Sequence, residues 1–525
     1  MITPRRLGEK EDAVSARIPP VLRPEHPLAR PLAELVSQFG LEYRGDLGTV
    51  QITGVTLRST EVEAGDLYVG IQGQNSHGAQ YAVQAAESGA VAVLTDLAGA
   101  DLAQASGLPI AIVESPRAAL GNVSAWVYRT AEHPLLLLGV TGTNGKTSTS
   151  YIVEAILKQL GVVAGLSSTA ERHIGELTVV SRLTTPEASE LHALLARMRE
   201  SNVRAVAVEV SAQALSRNRV DGLMFDVVAF TNLSHDHLDD YADMDEYFEA
   251  KLAFFEPSRG RRGVISLDTH WGQKVAARSG IPVTTISATP DVVGDWNVEI
   301  LDERAEYVEF RLTDSQAHSL VTRVPLIGWH MAANAGLAIV MLVEAGFELD
   351  AIARAVADGI DAYLPGRTER VSGPRGPSVY VDFGHSPDAF LNTLRAVRNF
   401  TTGRVIMVFG ADGDRDPTKR HEMGRVASEG SDILVITDHH PRFEDPESIR
   451  ATLIEGAYLA DNPAELFEVS PPEKAIRHAV ALAQEGDSIL WAGPGHQDYR
   501  DIRGVRTPYS ARAEAREALR EAGWV

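Results

Sequence analysis

An aliphatic run, a glycine-rich turn and a helical pattern follow one another in the first third of the chain, and this order constrains the fold most. Residues 135–140 are typical of a buried parallel strand, and residues 148–160 are typical of a helix. The turn between them reads TGTNGKT. Because a strand, a tight glycine turn and a helix in this order form one unit of a parallel sheet, the sequence predicts an α/β protein.

The turn has the composition of a phosphate-binding loop. Backbone N–H groups at a helix N-terminus attract phosphate oxygens, while Lys146 would contact the β- and γ-phosphates and Thr147 would ligate Mg²⁺. The strict GxxxxGK[ST] pattern is not met, because Val140 stands where the first glycine would be. Kinases, motor ATPases and ligases all use such loops. The loop therefore predicts nucleotide binding and leaves these reactions open.

Length, charge and cysteine content limit the number of domains, the class of partner and the type of metal site. The chain has 525 residues, and a length of this order predicts about three domains. Lys and Arg number 49 against 71 Asp and Glu, a formal net charge of −22, which disfavours nucleic acid and anionic membranes as partners. Cysteine is absent, so any metal must be held by oxygen or histidine ligands. No apolar run is long enough to span a membrane, and we expect a cytoplasmic protein.

Strand-like and helix-like segments alternate along most of the chain. Predicted strands are 51–57, 66–71, 91–95, 109–113, 135–140, 205–210, 227–231, 263–266, 378–382, 404–409, 432–437 and 488–491; predicted helices are 81–88, 117–130, 148–160 and 331–345. A Pro-Gly pair follows Leu364 and precedes a new series of strands, which predicts a boundary there. The predicted divisions are a flexible start (1–31) and domains at 32–115, 116–364 and 365–525.

The loop variant TGTNGKT resembles that of the Mur ligase family, the ATP-dependent amide-forming enzymes of peptidoglycan precursor synthesis. Similar blocks follow: GDLYVG (65–70), TTPE (184–187), EVS (209–211), FTNLSHDHLD (230–239), PGR (365–367) and DFGHSPD (382–388). Residues 414–416, 419–420 and 441–446 resemble the branch that adds the third residue of the stem peptide. The resemblance implies a small α/β UDP-binding domain, a central P-loop ATPase domain with a parallel sheet, and a C-terminal Rossmann-like amino-acid-binding domain.

The resemblance also implies a site for ATP and Mg²⁺. Implied catalytic residues are Lys146, His237 and Lys251, and implied metal ligands are Thr147, Glu209, His237 and Lys251 as a CO₂-derived carbamate. Implied ATP contacts are Gly142, Thr143, Asn144, Gly145, Lys146, Thr147, Ser148, Asn334, Arg367, Asp382 and His385. From the residues alone, His237 is also compatible with a helix cap, Lys251 with a solvated helix residue, and Arg367 with a hinge salt bridge.

For the nucleotide-sugar substrate, UDP-N-acetylmuramoyl-L-Ala-D-Glu, the resemblance implies ten contacts. They are Leu57, Ser59, Gln74, Asn75, Ser76, Thr184, Thr185, Ser211, Arg217 and Arg219. Hydroxyls and guanidinium groups suit carboxylate and phosphate oxygens. The early block reads RST (58–60) where the family commonly has DSR, and residues 74–76 are also compatible with a plain surface turn.

The implied amino-acid site departs from the family pattern. Its residues are Arg415, His439, His440, Pro441, Arg442, Gly493 and Gln497. The DNPR motif of diaminopimelate-adding enzymes reads HHPR (439–442), and GKGHE reads GPGHQ (493–497). A neutral amide in place of the glutamate weakens ammonium binding, because charge-assisted hydrogen bonds are the stronger ones. We therefore favour L-lysine as the added amino acid and keep meso-diaminopimelate as the second candidate, since Arg415 and Arg442 are retained. The DNPA tetrapeptide at 461–464 lies outside the expected register and is interpreted as a turn.

Together these expectations predict one reaction. ATP phosphorylates a carboxylate of the UDP-linked dipeptide, and the amine of a diamino acid displaces phosphate from the acyl phosphate. We expect a monomer whose partners are small molecules only. An inactive Mur-like scaffold and another amino-acid ligase on the same central domain, such as a folate ligase, are the alternatives. Intact Lys146 and Lys251 disfavour the scaffold, and the GDLYVG domain disfavours the folate ligase.

Overall fold

The computed structural model describes residues 21–524. The chain divides into two compact units between Leu364 and Pro365. We call them the N-terminal unit and the C-terminal unit, and each has its own sheets and apolar core. Within the described residues, no helix combines the length and apolar character needed to cross a membrane.

The N-terminal unit begins with a small α/β part. Its strands are β1 (Arg30–Pro31), β2 (Glu42–Arg44), β3 (Gln51–Ile52), β4 (Gly54–Thr56), β5 (Asp66–Val69), β6 (Ala92–Thr95) and β7 (Ile110–Ile112), and its helices are α1 (Leu32–Phe39), α2 (Ala82–Glu87), α3 (Leu97–Ala103) and α4 (Pro116–Tyr128). Strand β1 pairs with β3, and the main sheet has the order β2-β7-β6-β5-β4, parallel except for β2. A hydrogen bond connects helix α4 to this sheet: the hydroxyl of Tyr128 on α4 accepts the N–H of Val55 on β4 at 3.0 Å.

The predicted flexible start, 1–31, lies partly outside the described residues, which begin at Val21. From there the segment makes defined contacts. Nη1 of Arg23 donates to both carboxylate oxygens of Asp66, at 2.7 and 2.8 Å. Asp66 is buried, and a buried carboxylate needs such a partner. The chain is therefore ordered from well before residue 32.

A larger mixed sheet fills the rest of the N-terminal unit. Its strands are β8 (Leu136–Thr141), β9 (Ala164–Ser167), β10 (Glu171–Ile174), β11 (Leu177–Val180), β12 (Ala205–Glu209), β13 (Phe225–Phe230), β14 (Gly260–Ser266), β15 (Val283–Ser287), β16 (Trp296–Glu303), β17 (Val308–Asp314) and β18 (Ser319–Val324). Its helices are α5 (Lys146–Gln159), α6 (Ala188–Glu200), α7 (Ala212–Ser216), α8 (Met244–Leu252), α9 (His270–Arg278), α10 (Trp329–Glu344) and α11 (Leu349–Ala355).

Seven neighbouring strands of this sheet run parallel, in the order β9-β12-β8-β13-β14-β15-β16, with antiparallel strands added at both edges. Strand β8 is covered on both faces. Leu138 and Val140 pack in the cluster that contains α5 and α10, whereas Leu137 packs in the cluster that contains α6 and α8. Burial on both faces explains why the aliphatic run shows no alternation.

The C-terminal unit is a second α/β layer structure. Its strands are β19 (Glu369–Arg370), β20 (Ser378–Asp382), β21 (Val405–Phe409), β22 (Ile433–Ile436), β23 (Glu465–Glu468), β24 (Ser488–Ala492), β25 (Tyr499–Ile502) and β26 (Val505–Pro508), and its helices are α12 (Pro387–Phe400), α13 (Arg420–Gly430), α14 (Pro446–Ala457), α15 (Pro472–Leu482) and α16 (Ala511–Glu521). The sheet order is β19-β20-β24-β21-β22-β23, parallel except for β19, and β25 and β26 form a separate hairpin. The loops after its parallel strands share one edge, where such sheets bind ligands.

Candidate active site

The glycine-rich turn of the N-terminal unit joins β8 to α5 at the centre of the parallel strands. Glu209 at the end of β12 lies opposite Val140, and Phe230 at the end of β13 lies opposite Thr141. The segments after β12 and β13 therefore begin at the same edge of the sheet as the turn. Helix α5 begins at Lys146, so its N-terminus, which favours anions, is at this edge.

Two lysine amines meet at the turn. Nζ of Lys146 donates to the carbonyl oxygens of Gly142 (3.0 Å) and Thr143 (2.8 Å). Nζ of Lys251, at the end of α8, donates to the same Gly142 oxygen at 2.8 Å and is also 4.5 Å from the ring centroid of Tyr247. Lys251 is 1% exposed. Burial, followed by the neighbouring Lys146 charge, lowers the pKa of Lys251 well below its ordinary value.

The segment after β13 supports the turn with hydrogen bonds. The backbone N–H groups of Thr143 and Asn144 donate to the carbonyl and the side-chain oxygen of Asn232, both at 2.9 Å. The Thr231 hydroxyl donates to the carbonyl of Asn144 at 2.6 Å, and the N–H of Ser234 donates to the Thr143 hydroxyl at 3.1 Å. These contacts fix the path of the turn, and the sequence analysis gave Thr231, Asn232 and Ser234 no individual role although it noted their block.

Two glycines of the turn have no room for a side chain. Gly142 has a φ of +149°, and a Cβ there would lie 1.9 Å from Oγ1 of Thr231. Gly145 has a φ of +86°, and a Cβ there would lie 2.6 Å from Oδ1 of Asn334 on α10. The predicted ATP contact Asn334 is thus buried beside the turn.

The predicted metal ligands offer oxygen and imidazole donors near this edge. Glu209 is fully buried, and its carboxylate accepts the N–H and the hydroxyl of Thr169 at 3.0 and 2.9 Å. His237 has a left-handed φ of +59°, and its Nε2 is 3.7 Å from Oδ2 of Asp236. His237 also has ligand atoms within 4.8 Å of those of Asp239 and Asp240. Hard oxygen donors with one imidazole fit Mg²⁺, and Thr147 adds a hydroxyl at the start of α5.

The structure brings some predicted substrate contacts together around Glu209. The Thr185 hydroxyl donates to the Glu209 carbonyl (2.8 Å) and accepts the N–H of Ser211 (3.1 Å). The hydroxyl oxygens of Thr184 and Thr169 are 3.0 Å apart. These hydroxyls therefore lie next to the predicted metal ligand.

The other predicted substrate contacts of this unit lie elsewhere or are bound by the chain's own acids. Arg217 pairs with Asp240 at 2.7 Å, and Arg219 pairs with Glu187 at 3.0 Å. In the small α/β part, Ser59 donates to Gln84 at 2.9 Å and Leu57 packs against the core of the small sheet. Gln74, Asn75 and Ser76 are exposed in a turn. The turn is closed by a bridge between Gln72 and His77. The guanidinium pairs hold each arginine in a fixed position.

In the C-terminal unit, the carboxylate of Asp382 binds two segments of the chain. Its Oδ2 accepts the N–H and hydroxyl of Thr368 at 2.7 and 3.2 Å, and its Oδ1 accepts the N–H of Gly384 at 2.7 Å. The guanidinium carbon of Arg367 lies 4.3 Å from the ring centroid of Phe383. Nδ1 of His385 is 2.9 Å from the carbonyl of Phe383. The three predicted ATP-side residues of this unit are thus close neighbours.

The predicted amino-acid residues form a second group in this unit, on the loops after β21, β22 and β24. The backbone N–H of Asp501 donates to Nδ1 of His440 at 3.0 Å, so the proton of this ring is on Nε2. Nε2 donates to Oε1 of Gln497 at 2.8 Å. Nη2 of Arg442 pairs with Asp412 at 3.2 Å. Gln497 and the histidine pair are therefore in contact, as a shared site requires.

Both histidines of this group are neutral at physiological pH. Burial, with the neighbouring His440, lowers the pKa of His439 to about 3. Burial also lowers the pKa of His440. The ring centroids of the two histidines are 4.1 Å apart.

The remaining predicted amino-acid residues lie on the same loops. Arg415 is exposed and Pro441 is buried, and Gly493 has a left-handed conformation with a φ of +112°.

Three family models match this architecture in chain order. The Mur ligase family, catalytic domain, matches residues 51–128; the Mur ligase middle domain matches 140–342; and the Mur ligase, glutamate ligase domain, matches 366–495. The chain belongs to the Mur ligase family. The predicted resemblance and the predicted α/β fold of three domains are confirmed. As a Mur ligase the chain is an ATP- and Mg²⁺-dependent ligase of peptidoglycan precursor synthesis.

Mur ligase relatives match over nearly their whole length. The UDP-N-acetylmuramyl-tripeptide synthetase of Leifsonia xyli subsp. xyli is 61% identical over 509 residues, covering 97% of this chain and 99% of the relative. The UDP-N-acetylmuramoyl-L-alanyl-D-glutamate–2,6-diaminopimelate ligase of Streptomyces avermitilis is 42% identical, covering 95% and 98%. A solved structure of an enzyme with this second name has a TM-score of 0.64 and 26% identity, covering 95% of this chain and 100% of that one.

Proposed function

We propose that this Mur ligase adds a diamino acid as the third residue to UDP-N-acetylmuramoyl-L-Ala-D-Glu, in the cytoplasm and as a monomer. The observation that carries the proposal is the phosphate loop, where the amines of Lys146 and Lys251 converge on one carbonyl. The names of the relatives support the step, since one is a tripeptide synthetase and another adds 2,6-diaminopimelate to a UDP-linked dipeptide. ATP supplies the phosphoryl group that activates the substrate carboxylate.

Lys146 is proposed to stabilise the charge of the transferred phosphoryl group. Its amine is already held at the loop by the carbonyls of Gly142 and Thr143, so little reorganisation is needed when phosphate oxygens arrive. Thr147, Glu209 and His237 would hold Mg²⁺, which neutralises phosphate charge when bound. The Thr231 and Asn232 hydrogen bonds keep the loop in the conformation that positions these groups.

Lys251 is proposed to carry a carbamate. A carbamate forms when a neutral amine attacks CO₂, and burial beside Lys146 keeps the Lys251 pKa well below its ordinary value. The reaction forms an N–C bond, releases one proton and leaves an anionic oxygen pair on the lysine. That anion would meet the Lys146 cation and offer a further oxygen ligand to Mg²⁺.

The amino-acid group suits a diamino acid without a second carboxylate. The second carboxylate of diaminopimelate would have to share Arg442 with Asp412, whose Oδ2 lies 3.2 Å from Nη2 of that guanidinium. His439 and His440 beside it are neutral and would offer that carboxylate no positive charge. This favours L-lysine. The name of the Streptomyces relative, which adds 2,6-diaminopimelate, supports a diaminopimelate as the second candidate.

One assay tests the proposal. Purified enzyme is given ATP, Mg²⁺, the UDP-linked dipeptide and either amino acid, and both phosphate release and the UDP-linked tripeptide are measured. Product formation that depends on all components supports the function, and a higher kcat/KM with L-lysine supports the amino-acid choice. Absence of tripeptide with both amino acids would instead indicate the inactive scaffold or a different ligase.

A further inference from the structure

Asp412 lies in the loop after β21, beside the residues predicted to bind the amino acid. Its Oδ2 accepts a hydrogen bond from Nη2 of Arg442 at 3.2 Å, and its Oδ1 is 3.5 Å from Nε2 of His439. Among the described residues, Oδ1 has no hydrogen-bond donor. A carboxylate can accept about four hydrogen bonds. Asp412 therefore has acceptor capacity that the described residues do not use.

The charge of Asp412 is only partly compensated. Burial alone would raise the pKa of its carboxyl, but His439, His440 and then Arg442 outweigh burial and bring the pKa below its ordinary value. The side chain is charged at neutral pH, whereas His439, with a pKa of about 3, is neutral. The side chain is also 29% exposed. The site thus presents a negative charge beside neutral imidazoles, with Oδ2 paired to Arg442 and Oδ1 buried.

Other acidic residues of these loops are bound by the chain's own donors. Asp414 accepts the N–H of Phe443, Asp416 accepts the N–H and hydroxyl of Thr418, Glu444 pairs with Arg420, and Asp438 pairs with Arg450. In each case the donor is a backbone N–H, a hydroxyl or a guanidinium that fixes the loop. Asp412 also has a guanidinium partner on Oδ2, but its Oδ1 has no donor among the described residues.

We infer that Asp412 receives the side-chain ammonium of the incoming diamino acid and determines selection for it. The inference rests on the proposed function, in which the α-amine attacks the activated carboxylate and must therefore be unprotonated. The distal amine stays protonated and needs an anionic partner. Gln497, where the family has a glutamate, is neutral and already accepts from His440 at 2.8 Å. Asp412 supplies the missing charge from a different loop.

Pairs of amino acids that differ only in the distal ammonium test this role. L-lysine is compared with L-norleucine, and meso-diaminopimelate with L-2-aminopimelate, by kcat/KM of tripeptide formation. For the pair that the wild-type enzyme uses, we expect the ammonium-bearing member to be preferred by roughly tenfold or more, as a charge-assisted hydrogen bond provides. In Asp412→Asn the preference should fall to within roughly twofold, and Asp412→Glu should keep most of it.

Asp461→Asn is the matched control, because it removes one negative charge from an exposed turn of the same unit. The KM for ATP is measured in every variant and should be unchanged. An active wild-type enzyme whose preference persists in Asp412→Asn, or a variant that loses activity equally on both members of a pair, overturns the inference and leaves the proposed function standing. A wild-type enzyme that is inactive on all four amino acids overturns both.

Discussion

The side-chain amines of Lys146 and Lys251 donate to the same carbonyl oxygen, that of Gly142, at 3.0 and 2.8 Å. Two ammonium groups sharing one acceptor in a buried place repel each other, so the charge of one lowers the pKa of the other. Lys251 is the more buried, and burial followed by the Lys146 charge lowers its pKa well below its ordinary value. The two lysines of the phosphate loop therefore differ in how readily they hold a proton.

Lys146→Ala should reduce phosphate release by roughly a hundredfold or more, since removing a preorganised donor to a developing charge has an effect of that size. The thermal midpoint should change little, because the hydrogen bonds of the amine at 3.0 and 2.8 Å are to carbonyls of the loop's own turn, Gly142 and Thr143, and these bonds cross-link no other element. Lys158→Ala on the same helix is the control. Its amine pairs with Glu154 at 2.8 Å on a half-exposed side chain, so activity should persist. Comparable activity in both variants would contradict the role of Lys146.

Lys251 should bind CO₂ reversibly. Enzyme equilibrated with ¹³C-bicarbonate near pH 7 should show a carbamate carbon signal by NMR that is absent from Lys251→Gln. Because the Lys251 pKa is lowered well below its ordinary value, its amine is neutral at a pH where exposed lysines are protonated. The signal should therefore appear without raising the pH toward 10.5. A wild-type spectrum identical to that of Lys251→Gln would exclude the carbamate.

Gly142→Ala should abolish nucleotide binding, measured by calorimetry with ADP. A Cβ at Gly142 would lie 1.9 Å from Oγ1 of Thr231, which holds the Asn144 carbonyl at 2.6 Å. Gly161→Ala is a matched control, because Gly161 also has a positive φ but has open space around its Cβ position. It should lower stability by about 1 kcal/mol and leave ADP affinity intact. Equal ADP affinity in both variants would refute the steric argument.

His173 should make stability depend on pH. Burial opposes protonation, but hydrogen bonds to Glu154 and Glu171 outweigh it and raise the pKa of His173 to about 9. A raised pKa in the folded state stabilises the fold fully below the unfolded value of about 6.5, and this contribution is lost as the pH rises toward 9. His173→Gln should therefore lower the thermal midpoint most at pH 6 and least at pH 9. A constant difference across that range would contradict the assignment.

The sequence predicts the parallel strands well because their aliphatic runs are a local property. Strand β20, for example, has the predicted bounds, 378–382; β21 begins one residue later than predicted, and β8 is shifted by one residue at both ends. The antiparallel hairpin β10–β11 was not predicted. Its first strand contains Arg172 and His173, which are buried because partners from other elements, such as Glu154, satisfy them. Such burial depends on contacts that are distant in sequence.

The candidate site also contains residues that a local motif identifies and residues that only distant contacts identify. Lys146 and Thr147 are identified by a local motif, whereas Asn232 and Thr231 act on the loop across the sheet, through hydrogen bonds from a segment some ninety residues away. Asp412 has no local signature either. Its role follows from neighbours on another loop, His439 and Arg442, and from an oxygen left without a donor.

The proposed reaction is measured by incubating the enzyme with ATP, Mg²⁺, UDP-N-acetylmuramoyl-L-Ala-D-Glu and a diamino acid and then determining the mass of the UDP-linked product. We predict a tripeptide product, one phosphate released for each molecule formed, and a larger kcat/KM with L-lysine than with meso-diaminopimelate. No tripeptide with either amino acid would contradict the proposed reaction. Tripeptide formation with a clear preference for meso-diaminopimelate would contradict the choice of L-lysine and leave the proposed reaction standing.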